Sequence, residues 1–331
     1  MSRFSLSVLD LAPIGSGQTS TQTLKSTLEL ARLAERLGYT RFWLAEHHGM
    51  RGIASSSPEV LIAHVAAQTE RIRVGSGGIM LPNHAPLRIA EAFHTLQALH
   101  PGRIDLGIGR APGTDPATSR ALRPFDGEQF PALMRELLSL SRGDFEEGHP
   151  LHGVEVVPGD VDLPPVWILG SSGASARFAG SLGLGYGFAS HFSPTPPLPA
   201  ILAYRDSFQP SDLFERPHVI VAVAVVCAES EEAADWLARS MDLSWVRMQR
   251  GEKGLFPTPE EATAYPYTPY ERALVQERRR LVHFGTPAAV SAKIREIAHE
   301  TGADEIMVSS MIHDPAARLR SYELLAGALI D

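Results

Sequence analysis

Short apolar runs along the chain alternate with longer stretches in which apolar positions return every three or four residues. Phe4–Leu9 is the first run. After a Gly/Ser/Thr loop from Gly15 to Thr23, a helical stripe of Leu24, Leu28, Ala31, Leu33, Ala34 and Leu37 closes at Gly38. Further runs at Arg41–Ala45, Ile72–Met80, Arg103–Ile108, Val166–Leu169, Tyr186–Ser190, Val219–Val226 and Glu305–Val308 predict strands. Between them, helical spacing predicts Pro58–Glu70, Leu87–Leu99, Phe130–Leu140, Gly173–Ser181, Pro199–Ser207, Glu231–Met248 and Ala316–Leu329. Strands that are apolar throughout, each followed by a helix, predict an α/β fold with a parallel sheet covered by helices. The count suits a closed (β/α)8 TIM barrel over an open doubly wound sheet, with residues 1–331 forming one barrel domain. Two insertions interrupt the pattern, Gly143–Pro165 after the fourth helix and Gly251–Pro269 before the eighth strand. The second, rich in Pro, Tyr and Thr, is an active-site lid or a surface excursion.

Composition narrows the function. Of 331 residues, 44% are hydrophobic and 21% charged, ordinary for a globular enzyme with a large core. The net charge of −8 argues against a general nucleic-acid binder. No window approaches the roughly 18 uninterrupted apolar residues of a membrane span, and Met1-Ser2-Arg3-Phe4 opens no signal-peptide stretch, so a cytoplasmic protein is expected. The single cysteine, Cys227, lies in an apolar run and is expected to be a buried, inert thiol.

In a barrel of this kind the chemistry sits at the C-terminal ends of the strands, and the unusual polar residues gather there. Glu46-His47-His48-Gly49 follows the second strand, Gly77-Gly78 to His84 lies at the end of the third, Gly109-Arg110-Ala111-Pro112-Gly113 follows the fourth, and His191 the sixth. Gly170-Ser171-Ser172-Gly173 ends the fifth strand and opens a helix, placing backbone N–H groups and hydroxyls where a phosphate or carboxylate binds. Plain N-capping by either serine is the structural alternative. Arg110 adds a positive charge to pair a phosphate; a rim ion pair is its alternative. Glycines inside a strand mark a bulge or a close approach, here to a flat ring or to packed neighbours. His47 or His48 can give or take a proton near neutral pH, and since adjacent side chains point apart, one of them faces a ligand while Glu46 orients either. No HxH or HExxH spacing supports a metal site. The third glycine of Gly107-Ile108-Gly109…Gly113 is misplaced for a dinucleotide fingerprint.

Three stretches carry a resemblance to a known family: Phe42–His48, Arg73–His84 and Pro101–Gly113. They resemble the bacterial luciferase-like flavin-dependent monooxygenases, in particular a bacterial branch carrying the Glu-His-His-Gly and Gly-Arg-Ala-Pro-Gly motifs. The resemblance is strong to about Gly113, moderate at Ile168–Ser172, and poor in the two insertions. It implies the same barrel, a non-prolyl cis peptide at Gly77-Gly78 beneath the flavin, an FMN phosphate held by Arg110 with Gly170, Ser171 and Ser172, and His47 or His48 as the active-site histidine. It further implies reduced FMN as co-substrate, supplied by a separate flavin reductase, with O2 and a small organic substrate. A homodimer through Pro58–Glu70 and Leu87–Leu99 is also implied. Alternatives are an F420-dependent oxidoreductase, a non-catalytic flavin-binding protein of the same fold and, more remotely, a metal-dependent barrel hydrolase.

Overall fold

Apolar runs become strands buried on both faces, and the helical stripes close over them. A computed structural model describes residues 4–123 and 126–330; Met1–Arg3, used above for the N-terminal expectation, lie outside the described residues. In chain order the elements are β1 (Ser5–Asp10), α1 (Ser20–Leu37), β2 (Arg41–Leu44), α2 (Pro58–Ala66), β3 (Arg73–Met80), α3 (Pro86–Leu99), β4 (Ile104–Gly109), α4 (Pro116–Leu122) and α5 (Phe130–Arg142). They continue as β5 (Val166–Gly170), α6 (Gly173–Ser181), β6 (Gly185–Ala189), α7 (Leu198–Ser207), β7 (Val219–Cys227) and α8 (Glu231–Gln249). The last are α9 (Pro259–Ala264), α10 (Pro269–Arg279), β8 (Val282–Gly285), α11 (Pro287–Thr301), β9 (Glu305–Ser309) and α12 (Pro315–Leu329).

Parallel pairing runs from β1 through β6, from β6 to β7, from β7 to β9, and from β9 back to β1, which closes an eight-stranded (β/α)8 barrel. β8 is an extra strand. It pairs with the last residues of β7, Ala224–Cys227, beyond the part that β9 occupies. β8, α4, α9, α10 and α11 are not anticipated from the pattern. α10 buries Glu271 and no apolar residue, so it lacks the stripe by which a helix is recognised. β8 is four residues long and two of them are only partly buried. α2 stops at Ala66 instead of Glu70 because Arg103 donates to the Ala66 and Thr69 carbonyls at 3.1 and 2.9 Å, satisfying groups that another turn would need.

Alternation along the strands sorts side chains to two sides of the barrel wall. Phe42, Leu44, Ile104, Leu106, Ile108, Val221 and Val223 face outward to the helices. Leu9, Trp43, Trp167, Ile220 and Met307 face inward and pack as a plug, with the two indoles edge to face at 5.6 Å. Below the plug, at the N-terminal ends of the strands, lies a buried ionic layer. Arg41 bridges Asp105 (2.9 Å) and Glu305 (2.8 Å), Arg73 holds Asp105 (2.6 Å), and Trp43 Nε1 donates to Asp105 at 3.2 Å. The guanidinium of Arg41 also lies 4.8 Å from the Trp167 ring. Above the plug the inward positions shrink to Gly109, Ala189, Ala222 and Ala224. Ala189 and Ala222 keep 9% and 8% exposure although both sit on barrel strands, so the mouth is open to solvent. Cys227 is free and buried, with its thiol pushed up to about 11 chiefly by burial. No described helix is long and apolar enough to cross a membrane.

Candidate active site at the barrel mouth

Past β2 the backbone keeps its alternation for one more turn. Trp43 and Ala45 face inward, and the alternation puts His47 on the same side. Two neighbouring loops hold it there: His47 N donates to the Ser55 carbonyl (2.9 Å) and His48 N to that of Gly113 (3.2 Å), while the Ser55 hydroxyl donates to the Ala45 carbonyl. Gly113 has φ of +64°, and a β-carbon there would lie 2.7 Å from the Glu46 carbonyl, so this close approach requires glycine. His47 Nδ1 lies 3.2 Å from the Gly113 carbonyl. A carbonyl only accepts, so Nδ1 carries the hydrogen and Nε2 is the acceptor. Burial lowers the imidazole below its ordinary value, against the Gly113 carbonyl and the Glu46 charge, which pull the other way.

Glu46 and His48 do something else. The Glu46 carboxylate is fully buried on the outward side and gathers four donors: His48 Nε2 (2.8 Å), His84 Nε2 (2.9 Å) and Asn83 Nδ2 (3.3 Å) at Oε1, and Met80 N (2.9 Å) at Oε2. Burial would raise this carboxyl, but the hydrogen bond and charge of His84, then His48 and the Met80 amide, hold it below its ordinary value. In return Glu46 raises His84 against the effect of burial. The Glu-His-His motif therefore divides: His47 serves the mouth, whereas Glu46 and His48 clamp β2 to the segment after β3. His84 and Asn83 complete that clamp, which side-chain spacing along the chain does not reveal.

The Gly77-Gly78 peptide is cis. A β-carbon on Gly77 would lie 2.5 Å from Leu9 and one on Gly78 2.7 Å from the Gly107 carbonyl, so tight packing by itself accounts for both glycines. Gly77 nevertheless stays half-buried at the foot of the open mouth. Gly109 pairs with Leu169, which puts Arg110 and the Gly170-Ser171-Ser172 turn at the ends of adjacent strands on one rim. Arg110 is exposed. Ser172 caps α6, its hydroxyl accepting from Ser175 N at 3.4 Å, and Ser175 Oγ donates to the Ser172 carbonyl at 2.8 Å. A β-carbon on Gly170 would lie 2.2 Å from Ser175 Oγ, so glycine lets the strand end abut this first turn. The Arg177 guanidinium reaches back toward Gly173, where a β-carbon would sit 3.4 Å from Nη1. The turn thus has Arg177 beside it, invisible in the motif, and Arg110 at the end of the adjacent strand.

This donor set fits a phosphate: helix N-terminal amides, serine hydroxyls and two guanidinium groups. The apolar floor of Leu9, Trp43 and Trp167, with half-buried Leu11, Leu169 and Gly77 above it, fits a flat aromatic ring. His191, on the turn after β6, stands close enough to His47 for the two imidazoles to act on each other electrostatically, and its own titration is pushed down to about 4 by burial and by the charge of Arg278. Its Nδ1 is enclosed without a hydrogen-bond partner among the described residues.

Comparison with known proteins identifies the family. The family model described as luciferase-like monooxygenase matches residues 4–305. A luciferase-like monooxygenase of Escherichia coli is 46% identical over 321 residues, covering 96% of this chain and 95% of its own. The N-acetyl-S-alkylcysteine monooxygenase of Bacillus subtilis is 33% identical, covering 98% of each chain. Among solved structures, apo-MsnO8 superposes with a TM-score of 0.88 at 39% identity, covering 99% of this chain and 98% of that one.

Proposed function

Because the chain belongs to the luciferase-like monooxygenase family, we propose that it is an FMN-dependent monooxygenase, the oxygenase component of a two-component system. Its co-substrates are reduced FMN, delivered by a separate flavin reductase, and O2; its substrate is a small organic molecule. The observation that carries this is the convergence on one rim of an inward histidine with a free acceptor nitrogen and, across the mouth, Arg110 beside the capped first turn of α6.

Arg110, Arg177, Ser171, Ser172 and the first amides of α6 would hold the phosphate, and the apolar floor with Gly77-Gly78 would take the ring. Reduced FMN, when bound, supplies the electrons that allow O2 to deliver one oxygen atom to a substrate and the other to water. His47 takes or returns a proton at Nε2, being neutral near pH 7 and fixed in tautomer by Gly113. Val60 and Leu99, 63% and 62% exposed on α2 and α3, supply apolar area for a homodimer.

Titration with reduced FMN, oxidised FMN, riboflavin and F420 tests the assignment. Tight binding of reduced FMN, followed by reoxidation on mixing with O2, is expected. A charge-assisted contact worth about 1.5–3 kcal/mol predicts that Arg110→Ala weakens FMN roughly 10- to 100-fold. Riboflavin binding should change less than about twofold, since it has no phosphate to lose. Preference for F420, or equal losses for FMN and riboflavin, overturns the reading.

A further inference from the structure

β3 brings one more side chain to the mouth, and its chemistry differs from that of its neighbours. Val74 and Ile79 lie in the outer layer against the helices, and Gly77 packs on Leu9 and Trp43 of the plug, so alternation turns Met80 inward. Met80 pairs with Gly109 of β4. A β-carbon on Gly109 would lie 2.9 Å from Met80 Sδ and 3.1 Å from Cε, and one on Gly113 would lie 3.1 Å from Cγ. The thioether therefore fills the room that two glycines leave. Gly109 precedes Arg110, and the Gly113 carbonyl is the one that holds His47 Nδ1 at 3.2 Å. Met80 N is pinned to Glu46 Oε2 at 2.9 Å, while the residue itself is only half-buried. A soft sulfur is thus fixed in the mouth wall between the histidine and the arginine, and a thioether accepts an oxygen atom at its lone pair.

We propose that Met80 is a modification site: with no organic substrate in the mouth, its sulfur takes the oxygen atom meant for the substrate, and the resulting sulfoxide shuts the mouth to flavin. The step rests on the oxygenase reading. One oxygen of O2 forms the S–O bond as the O–O bond breaks, and the other leaves as water with two protons. Of the four electrons that O2 takes up, two come from the Met80 sulfur and two from reduced FMN, which ends as oxidised FMN. Sulfoxidation replaces a flexible apolar group by a polar, chiral one. Gly113 already abuts the Glu46 carbonyl, so the added oxygen crowds the residue that fixes the His47 tautomer, and Gly109 beside Arg110. Idle turnover then disables the site until a methionine sulfoxide reductase restores the thioether.

Peptide mass spectrometry of the purified protein tests the site. One sample receives reduced FMN under oxygen-18 gas, with catalase and without organic substrate; a second receives added H2O2 alone. Met248, 51% exposed, reports oxidation from solution. Added H2O2 should oxidise Met248 ahead of Met80. Reduced FMN with O2 should reverse that order, raising the ratio of Met80 to Met248 sulfoxide by about tenfold or more and placing the heavy isotope in Met80. The Met80-oxidised protein should bind FMN about fivefold more weakly or worse, and methionine sulfoxide reductase should restore it. The same treatment should change the FMN affinity of Met80→Leu by less than about twofold. An equal ratio in the two samples, or undiminished FMN affinity after Met80 is oxidised, overturns the proposal and leaves the oxygenase reading standing. A protein that neither binds reduced FMN nor reoxidises it in O2 removes that reading, and the proposal with it.

Discussion

His47 and His48 are neighbours in the chain but face opposite sides of the barrel wall, and their substitutions separate accordingly. His47→Asn leaves Glu46 and its four donors untouched, but removes the acceptor at the mouth. If His47 handles the proton, bound reduced FMN reoxidises in O2 with a pH dependence set below the ordinary histidine value, and His47→Asn flattens that profile and slows the step by about 100-fold or more. His48→Asn keeps the profile. It deprives the buried Glu46 carboxylate of a donor and lowers stability by about 1–3 kcal/mol, seen as a lower urea midpoint. A flattened profile in His48→Asn and not in His47→Asn would exchange the two roles. The sequence shows that such a division exists, because adjacent side chains diverge, but not which histidine turns inward. That depends on the carbonyls of Ser55, later in the same loop, and of Gly113, after β4, which fix the exit from β2.

At the scale of elements, legibility follows how much of an element's signal is its own. α1 announces itself by an apolar stripe, although the capping box at Thr19 and Gln22 starts it at Ser20, inside the stretch expected to be loop, and β7 by nine buried residues. α10 carries its information in charge, so it escapes a hydrophobic pattern. The insertion from Gly251 behaves similarly. Phe256 is 4% exposed, with its N–H on the Ile14 carbonyl and its carbonyl on Ser16 N, both at 2.8 Å, so the segment is stitched to the loop after β1. Further out, Lys253 Nζ reaches Asp115 Oδ2 at 2.7 Å, and Asp115 also caps α4. This pair is largely exposed, and such pairs contribute about 0.2–1 kcal/mol. Asp115→Asn keeps a capping side chain and removes only the charge. Local opening around Lys253 then increases about 1.4- to 5-fold, and tryptic cleavage there accelerates by the same factor while the melting temperature stays within about 2 °C. Unchanged cleavage means that Phe256 alone holds the strap.

For the molecule as a whole, the buried charges set the order in which acid acts. The ionic layer under the plug is the part of the barrel least visible in sequence, since Arg41, Asp105 and Glu305 interrupt apolar strands and look like errors of register until the closed barrel brings them together. In that layer, burial is the largest influence and would raise Asp105 and Glu305, but the charge of Arg41 together with Arg73 at Asp105 and the hydrogen bonds at both carboxylates holds them below their ordinary values, so they keep their contribution until the pH is well into the acid range. Histidines respond earlier. His191, facing Arg278 and His47, and His283, facing Lys293 and Glu296, are each pushed from 6.5 to about 4, mainly by burial. An unfolded chain takes up those protons first, so stability present above pH 6.5 is lost progressively toward pH 4. His84 works in the opposite sense at higher pH: its contribution is complete below 6.5 and fades as pH rises through its raised value. Each depressed histidine can therefore contribute a slope of up to about 1.4 kcal/mol per pH unit between neutrality and pH 5. Urea midpoints measured at pH 7, 6 and 5 should fall steadily, and His283→Gln, remote from the mouth, should remove about half of the slope that the two histidines share. A midpoint that holds level to pH 5 would mean that neither imidazole is kept neutral by the fold.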